Sequence, residues 1–313
     1  VNCKDLDTLW RTGIFGGSLS FLTPFVFSFM SIALGINSWV WTSPMSDASA
    51  ELIYRAKAMG FDAFEIAVED PAHFAADGAV TRALRETGLK PIVCGAFGPT
   101  RDLTHEDERF RRESITYIRG ALALAQAWGS TVLAGPVYSA VGKRRQLPDA
   151  QRKIEWQRAV VGLREAGKIA ADAGVTLAIE PLNRFETDLV NTSAQAVRLV
   201  DEVGSPAVKI HLDTFHMHIE EKSLLEAIRL AGPRLAHVHG CENDRGAPGT
   251  GLVAWAQVAQ GLREVGYNGA VVIESFTPEC KAIADAAAIW RPLAATQDAL
   301  ASEGLKFLRG LLR

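Results

Sequence analysis

The residues of this chain best suited to chemistry sit at the ends of four successive apolar runs. Glu180 stands near the end of VTLAIEPL (175–182), Asp213 closes VKIHLD (208–213), His239 stands at the end of RLAHVHG (234–240), and Glu274 near the end of GAVVIESF (269–276). Each run is rich in β-branched and aliphatic residues and reads as a strand. Adjacent strands lie about 4.8 Å apart, so parallel neighbours can bring all four side chains to one rim. Buried carboxylates gathered there repel one another unless a cation joins them. Three carboxylates and one imidazole suit a hard or borderline divalent ion: Mn²⁺ or Mg²⁺, with Co²⁺ as a further choice. Structural zinc prefers thiolates or more imidazoles.

The flanking residues supply donors. HLDTFHMHIE (211–220) puts His211 on the same strand face as Asp213, with His216 three positions beyond in an expected loop. Arg245 lies in the glycine-rich GCENDRGAPGTG that follows His239, and PLNRFETD after Glu180 carries Asn183, Arg184 and Glu186. These loops are expected to face the mouth, where a neutral His216 and a cationic Arg245 can donate to substrate oxygens. His211 and His237 precede metal candidates by two residues, so they read as inward neighbours of the ion and weaker ligand candidates. His218 and Glu220 read as the start of an outer helix, and His73 and His105 as solvated. Cys94 closes the third run and reads as a wall residue, because no base can be assigned to it. There is no GxSxG elbow and no HExxH.

What must position these groups is a repeated strand–helix rhythm. Four further runs precede the four above: IALGIN (32–37), FDAFEIA (61–67), KPIVCGAF (90–97) and TVLAG (131–135). Amphipathic stretches separate them, and several end in glycine, as in SDASAELIYRAKAMG (46–60) and IEWQRAVVGLREAGKIAADAG (154–174). Eight such units predict an α/β fold, a closed (β/α)8 TIM barrel, whose chemistry sits at the C-terminal strand ends. A doubly wound sheet would carry a glycine-rich phosphate turn after the first strand, and INSWVWTSP stands there instead.

The chain has 313 residues, 48% of them hydrophobic, and a formal net charge of -3. That allows one large domain and suggests no nucleic-acid partner. Four scattered cysteines (Cys3, Cys94, Cys241 and Cys280) without a CxxC pair fit a reducing compartment. The uncharged LSFLTPFVFSFMSIALGI (19–36) has the character of an export or membrane signal. The reading preferred is that Met30 opens the soluble domain, that residues 1–29 are an extension, either an over-extended gene start or a leader, and that 30–313 form a single catalytic barrel with a C-terminal helical segment. The expected location is cytoplasmic, with no stable membrane association.

IEPLNRFETDLVNT, VKIHLDTFHMHIEE, HVHGCENDRGAPGTG and VVIESF, in this order and spacing, resemble the D-tagatose 3-epimerase family, which includes the D-allulose (psicose) and L-ribulose 3-epimerases. That family lies within the xylose isomerase-like TIM barrels. The resemblance spans about residues 32–290. It implies a metal-dependent isomerase of carbohydrate metabolism that inverts C3 of a free ketohexose or ketopentose, with Mn²⁺ as the first choice of ion. It implies Glu180, Asp213, His239 and Glu274 as metal ligands, and Glu180 and Glu274 also as the acid and base. Glu186, His216 and Arg245 would hold the O1–O2 end of the sugar. Cys94 and Phe276 would line the pocket, and the chain would form a homodimer or homotetramer. The chain departs from the family at NSWVW, where Trp39 and Trp41 are expected to replace part of a Tyr-rich wall, and at AGPVYSAVG, where Tyr138 stands in place of a usual Trp. A sugar or hydroxypyruvate isomerase on the same barrel is the alternative, and a non-catalytic binding barrel the remote one.

Overall fold

A computed structural model describes residues 32–313; the expected extension at 1–29 lies outside the described residues. Eight parallel strands close on themselves in chain order. They are β1 Ala33–Asn37, β2 Ala63–Val68, β3 Lys90–Gly95, β4 Val132–Gly135, β5 Thr176–Ile179, β6 Val208–Asp213, β7 Leu235–His239 and β8 Ala270–Ile273. Pairing of β1 with β8, through Leu34 opposite Val271 and Gly35 opposite Val272, completes the circle. The expected strands are all present; β6 keeps its expected bounds, β2 gains Val68, and the others end up to three residues short at one or both ends.

Among the described residues there are ten α-helices, most of them outside the strands: α1 Glu51–Met59, α2 Ala79–Thr87, α3 Glu108–Trp128, α4 Asp149–Ala173, α5 Ser193–Val203, α6 Thr214–Glu220, α7 Leu224–Ala231, α8 Trp255–Glu264, α9 Lys281–Ala286 and α10 Gln297–Leu312. Helices α6 and α9 instead reach the cavity mouth. Helix α3 stops at Gly129 (φ 76) and α4 at Gly174 (φ 68), each left-handed, a conformation that spares glycine the Cβ clash. Among the described residues no helix is long and apolar enough to cross a membrane.

The period-two alternation of the strands sorts the barrel. Leu34, Ile36, Phe64, Ile66, Val93, Leu133, Leu177, Ile210 and Leu212 face the helices in one large core. The intervening residues face the barrel axis. Low in the barrel these are small or aliphatic: Ala63, Ile92, Ala270 and Val272. Gly35 is required here, since a Cβ would come within 2.9 Å of Val272. Two residues further along the same files the interior turns polar: Glu65, His211, His237, Asp213 and His239 are all buried. Trp39, Ala67, Cys94, Phe276 and Ile289 form a separate apolar cluster above them. The fold therefore stacks an apolar plug, a charged floor and a hydrophobic collar along one axis.

Candidate active site

Each expected residue reaches the mouth through its strand. Asp213 and His239 are the last residues of β6 and β7, and Glu180 and Glu274 each lie one residue past β5 and β8. All four are at most 5% exposed. Glu180 and Glu274 line a cavity of about 230 Å³ together with Glu186, His216 and Arg245 as polar floor and Trp39, Cys94, Phe97, Leu182 and Phe276 as walls, whereas Asp213 and His239 are buried outside its lining. A larger groove of about 800 Å³ lies between α3 and α4, but its lining, such as Arg111, Arg158 and Val161, holds no buried carboxylate–imidazole set.

Arg245 is the cation on this floor. One of its Nη atoms lies 2.7 Å from Asp213 Oδ2 and 2.7 Å from Glu274 Oε2. Its guanidinium stacks 3.9 Å over the Phe215 ring. The backbone is left-handed at Arg245 (φ 66), unusual for a residue with a Cβ. Ser275 Oγ donates to the Arg245 carbonyl at 2.6 Å and helps hold that conformation. Glu242 braces the same loop by accepting from the backbone N–H groups of Gly249 and Val253 and from Trp255 Nε1, at 2.8, 2.8 and 2.9 Å.

The two glutamates have opposite electrostatics. Burial pushes the Glu180 carboxyl well up, and the carboxylates of Glu274 and Asp213 push it further. Its nearest imidazole nitrogens are 3.6 Å (His211 Nδ1) and 3.7 Å (His216 Nε2) away, beyond hydrogen-bond reach. At Glu274 burial acts in the same direction, but His239 and Arg245 outweigh it and leave the carboxyl below its ordinary value. Burial also raises Glu186.

His216 does not lie in a loop as expected. Asp213 Oδ1 accepts from the Phe215 N–H at 2.7 Å and so caps α6, which starts at once and carries His216 in its first turn. His216 Nδ1 accepts from the Asn183 backbone N–H at 3.0 Å. With Nδ1 accepting, a neutral ring carries its proton on Nε2, which faces Glu180 Oε1 at 3.7 Å. Arg245 Nη2, itself a donor, lies 3.2 Å from the same nitrogen and makes no hydrogen bond to it in this tautomer. Burial and Arg245 keep this ring neutral. Glu186 Oε1 accepts from Asn183 Nδ2 at 2.9 Å, so one asparagine orients both groups.

Beneath the floor lies a group that sequence reasoning missed. Glu65 of β2 is fully buried, and its Oε1 lies 2.7 Å from His239 Nε2 and 2.6 Å from Asn37 Nδ2. His237 Nε2 approaches Oε2 at 2.6 Å, but off the line a hydrogen bond needs. Burial would raise Glu65; the two histidines outweigh it and hold the carboxyl well below the carboxylate range. The available signal was a lone glutamate on the inward face of a buried strand, between Ala63 and Ala67. Cys241 was missed too. It is buried, with donor atoms of Asp213 and Glu274 within 4.8 Å of its sulfur, and burial keeps its thiol protonated.

The residues fit a divalent ion. His239 Nδ1 is buried without a hydrogen-bond partner and points to Glu274 Oε1, 3.4 Å away. Glu180, Asp213 and His216 form one set with donor atoms within 4.8 Å of one another, and Asp213, Cys241 and Glu274 form another. Asp213 belongs to both; His211, His237 and His239 form a third set and Glu65, Cys94 and His239 a fourth, so Glu180, Asp213, His239 and Glu274 do not fall in any single set of this kind among the described residues.

The model of the xylose isomerase-like TIM barrel family matches residues 53–311. A probable ketose 3-epimerase of Synechocystis is 35% identical over 89% of this chain and 96% of its own length. A D-psicose 3-epimerase of Enterocloster bolteae is 34% identical over 83% of this chain and 87% of its own. The chain belongs to the ketose 3-epimerase family of xylose isomerase-like barrels. A crystal structure of a D-allulose 3-epimerase from Methylomonas in complex with D-allulose superposes on this family member with TM-score 0.84, at 30% identity, covering 90% of this chain and 98% of the other.

Within this epimerase barrel some expected wall residues stand elsewhere. Trp39 and Phe276 do line the cavity, their ring centroids 5.7 Å apart. Trp41 instead points outward and donates to Asp298 at 2.8 Å. Tyr138 is buried behind the wall, its hydroxyl donating to the Val190 carbonyl at 3.1 Å. Arg184 is turned to the surface, paired with Glu220 at 2.9 Å. His73 and His218 are exposed as expected. His105 is not free, because its Nδ1 accepts from the Asp107 N–H at 3.0 Å.

Proposed function

We propose that this chain is a divalent-metal-dependent ketose 3-epimerase acting on a free ketohexose or ketopentose of the D-tagatose, D-fructose/D-allulose or L-ribulose type. The observation that carries this reading is the pair Glu180 and Glu274: two buried glutamates opening on one cavity, with their proton affinities driven apart. An inversion needs one carboxyl to remove a proton and another to return one, and these two open on the same cavity from β5 and β8. Glu274 takes the C3 proton, the C–H electron pair moves into the C2–C3 bond, and the C2=O π pair moves onto O2, giving a planar enediolate. Glu180 then delivers its proton to the opposite face; the reverse reaction exchanges the roles. The His216 Nε2–H and the Arg245 guanidinium donate to the O1 and O2 oxygens, and Glu186 holds the hydroxymethyl end. Cys94 and Phe276 keep water from the reacting carbon.

Glu180, Asp213, His239 and Glu274 would hold the ion, Mn²⁺ first and Mg²⁺ or Co²⁺ next. When bound it supplies positive charge against the developing oxyanion. Residues 30–313 act as one catalytic domain, in a homodimer or homotetramer in the cytoplasm.

Turnover in D₂O tests the reaction. Deuterium at C3 of a recovered ketose is expected. Label at C1 or C2 with aldose formation would instead establish the isomerase, and no exchange from any ketohexose or ketopentose would establish a non-catalytic barrel. Exhaustive chelation is expected to stop the exchange, and added Mn²⁺ to restore it.

A further inference from the structure

Of the three cations in the loop between β4 and α4, Lys143 and Arg145 are tied into ion pairs that reach none of the reacting groups. The Lys143 side chain is only 16% exposed. Its Nζ lies 2.8 Å from Asp102 Oδ2 and 3.1 Å from Glu155 Oε2, and it also donates to Thr104 Oγ1. Asp102 and Thr104 belong to the loop after β3, and Glu155 to α4. Arg145 spans Glu155 at 2.8 Å and Asp188 at 2.9 Å, the latter in the loop after β5. Five charges thus tie three consecutive loops to one helix. Surface ion pairs of ordinary kind would contribute little, and buried charges are kept only at a cost in desolvation.

The backbone shows what the clamp holds. Gly142 N–H donates to the Glu186 carbonyl at 2.7 Å, and Lys143 forms a parallel bridge with Thr187. On its other side Val141 N–H donates to the Phe97 carbonyl at 2.9 Å. Val141, Phe97 and Glu186 all line the cavity. The turn bearing Glu186 is therefore fixed at one end by Asn183, whose carbonyl accepts from the N–H groups of Glu186 and Thr187 at 3.0 and 3.1 Å, and at the other by the residues around Lys143.

We propose that Lys143, supported by Arg145, is a positioning residue that sets where Glu186 stands in the substrate cavity. This rests on Glu186 contacting a ketose, as argued above. The clamp acts on substrate binding: it moves no proton and touches no substrate.

The experiment uses the full chain loaded with Mn²⁺. Steady-state constants are measured for the ketose that wild type converts best, alongside hydrogen–deuterium exchange of the peptides covering 182–190. For Lys143→Met, KM is expected to rise about tenfold, since misplacement of a binding group by about an ångström costs up to 10²-fold. kcat should stay within about threefold, because the reacting carboxylates are not part of the clamp. Exchange at 182–190 should quicken, and Lys143→Arg should restore both readouts. A merely structural lysine would lower the melting temperature and leave KM and local exchange as in wild type, which would overturn the proposal. Should Lys143→Met fail to fold, the neutral pair Lys143→Gln/Asp102→Asn makes the same test without a stranded charge. Should wild type convert no ketose, the functional reading fails, and the exchange arm alone decides the clamp.

Discussion

Glu65 and Glu180 are buried inside the same barrel, yet their environments drive their carboxyls in opposite directions. Burial raises both. Glu65 lies within 2.7 Å of two imidazole nitrogens and an amide, and ends as a firmly ionised anchor. Burial, joined by the repulsion of two neighbouring carboxylates, pushes Glu180 up, and it has no imidazole nitrogen closer than 3.6 Å. Depth alone does not tell a structural acid from a reactive one. What separates them is whether each charge meets its partner within the protein or faces the cavity without one.

The largest expected effect separates the two in chemistry. Glu180→Gln and Glu274→Gln should each lower the C3 exchange rate by about 10²–10⁴-fold, the usual contribution of a positioned acid or base. Glu65→Gln at saturating Mn²⁺ should cost far less in rate and chiefly weaken the ion, by about 10–100-fold, through loss of the His239 partner. Equal loss of rate in all three variants would break the distinction.

Stability is expected to show the reverse ranking. Glu65→Ala strands two buried imidazoles and should cost about 3–5 kcal/mol in denaturant unfolding, as removal of one partner of a buried ion pair does. Glu180→Gln in chelated protein should stabilise at neutral pH, because it removes a carboxyl that folding must hold protonated against solution; each pK unit is worth about 1.4 kcal/mol. A destabilised Glu180→Gln in chelated protein would contradict the electrostatic account.

The pH dependence follows with opposite signs. The folded-state carboxyl of Glu65 is depressed, so its stabilisation is present above the unfolded value of about 4.3 and is lost as pH falls through the folded one. That of Glu180 is raised, so its destabilisation is absent below about 4.3 and grows as pH rises toward the folded value. In chelated protein the stability difference between Glu180→Gln and wild type should thus widen from pH 4 to pH 7, whereas the Glu65→Gln deficit should shrink below about pH 4.3. The smallest effect is at Arg245. Arg245→Ala should raise KM about tenfold, within the range for losing a charge-assisted hydrogen bond, and shift ion affinity less.

Much of this barrel was legible in the chain. The eight apolar runs announced the strands, and glycines such as Gly129 and Gly174 marked helix ends. Glu180, Asp213, His239 and Glu274 could be placed at one rim because strand period and strand ends are local properties. His216 was expected in a loop because nothing in TFHMHIE says that Asp213 will cap a helix within the same residues. The family resemblance placed Trp41 in the cavity wall and left open whether Tyr138 fills the place of the usual Trp; the direction of an aromatic side chain in a loop depends on distant partners, here Asp298 and Val190.

The sequence by itself determined which side chains face the barrel axis and which close its strands, since a period of two leaves each residue only two directions. The tertiary structure alone decided what those side chains become. Glu65 meets His239 across 174 residues of chain, and Arg245 meets Asp213 and Glu274 through a left-handed loop that no local pattern announced. Proton affinity and ion binding follow distance through space rather than separation along the chain, and barrel closure sets those distances.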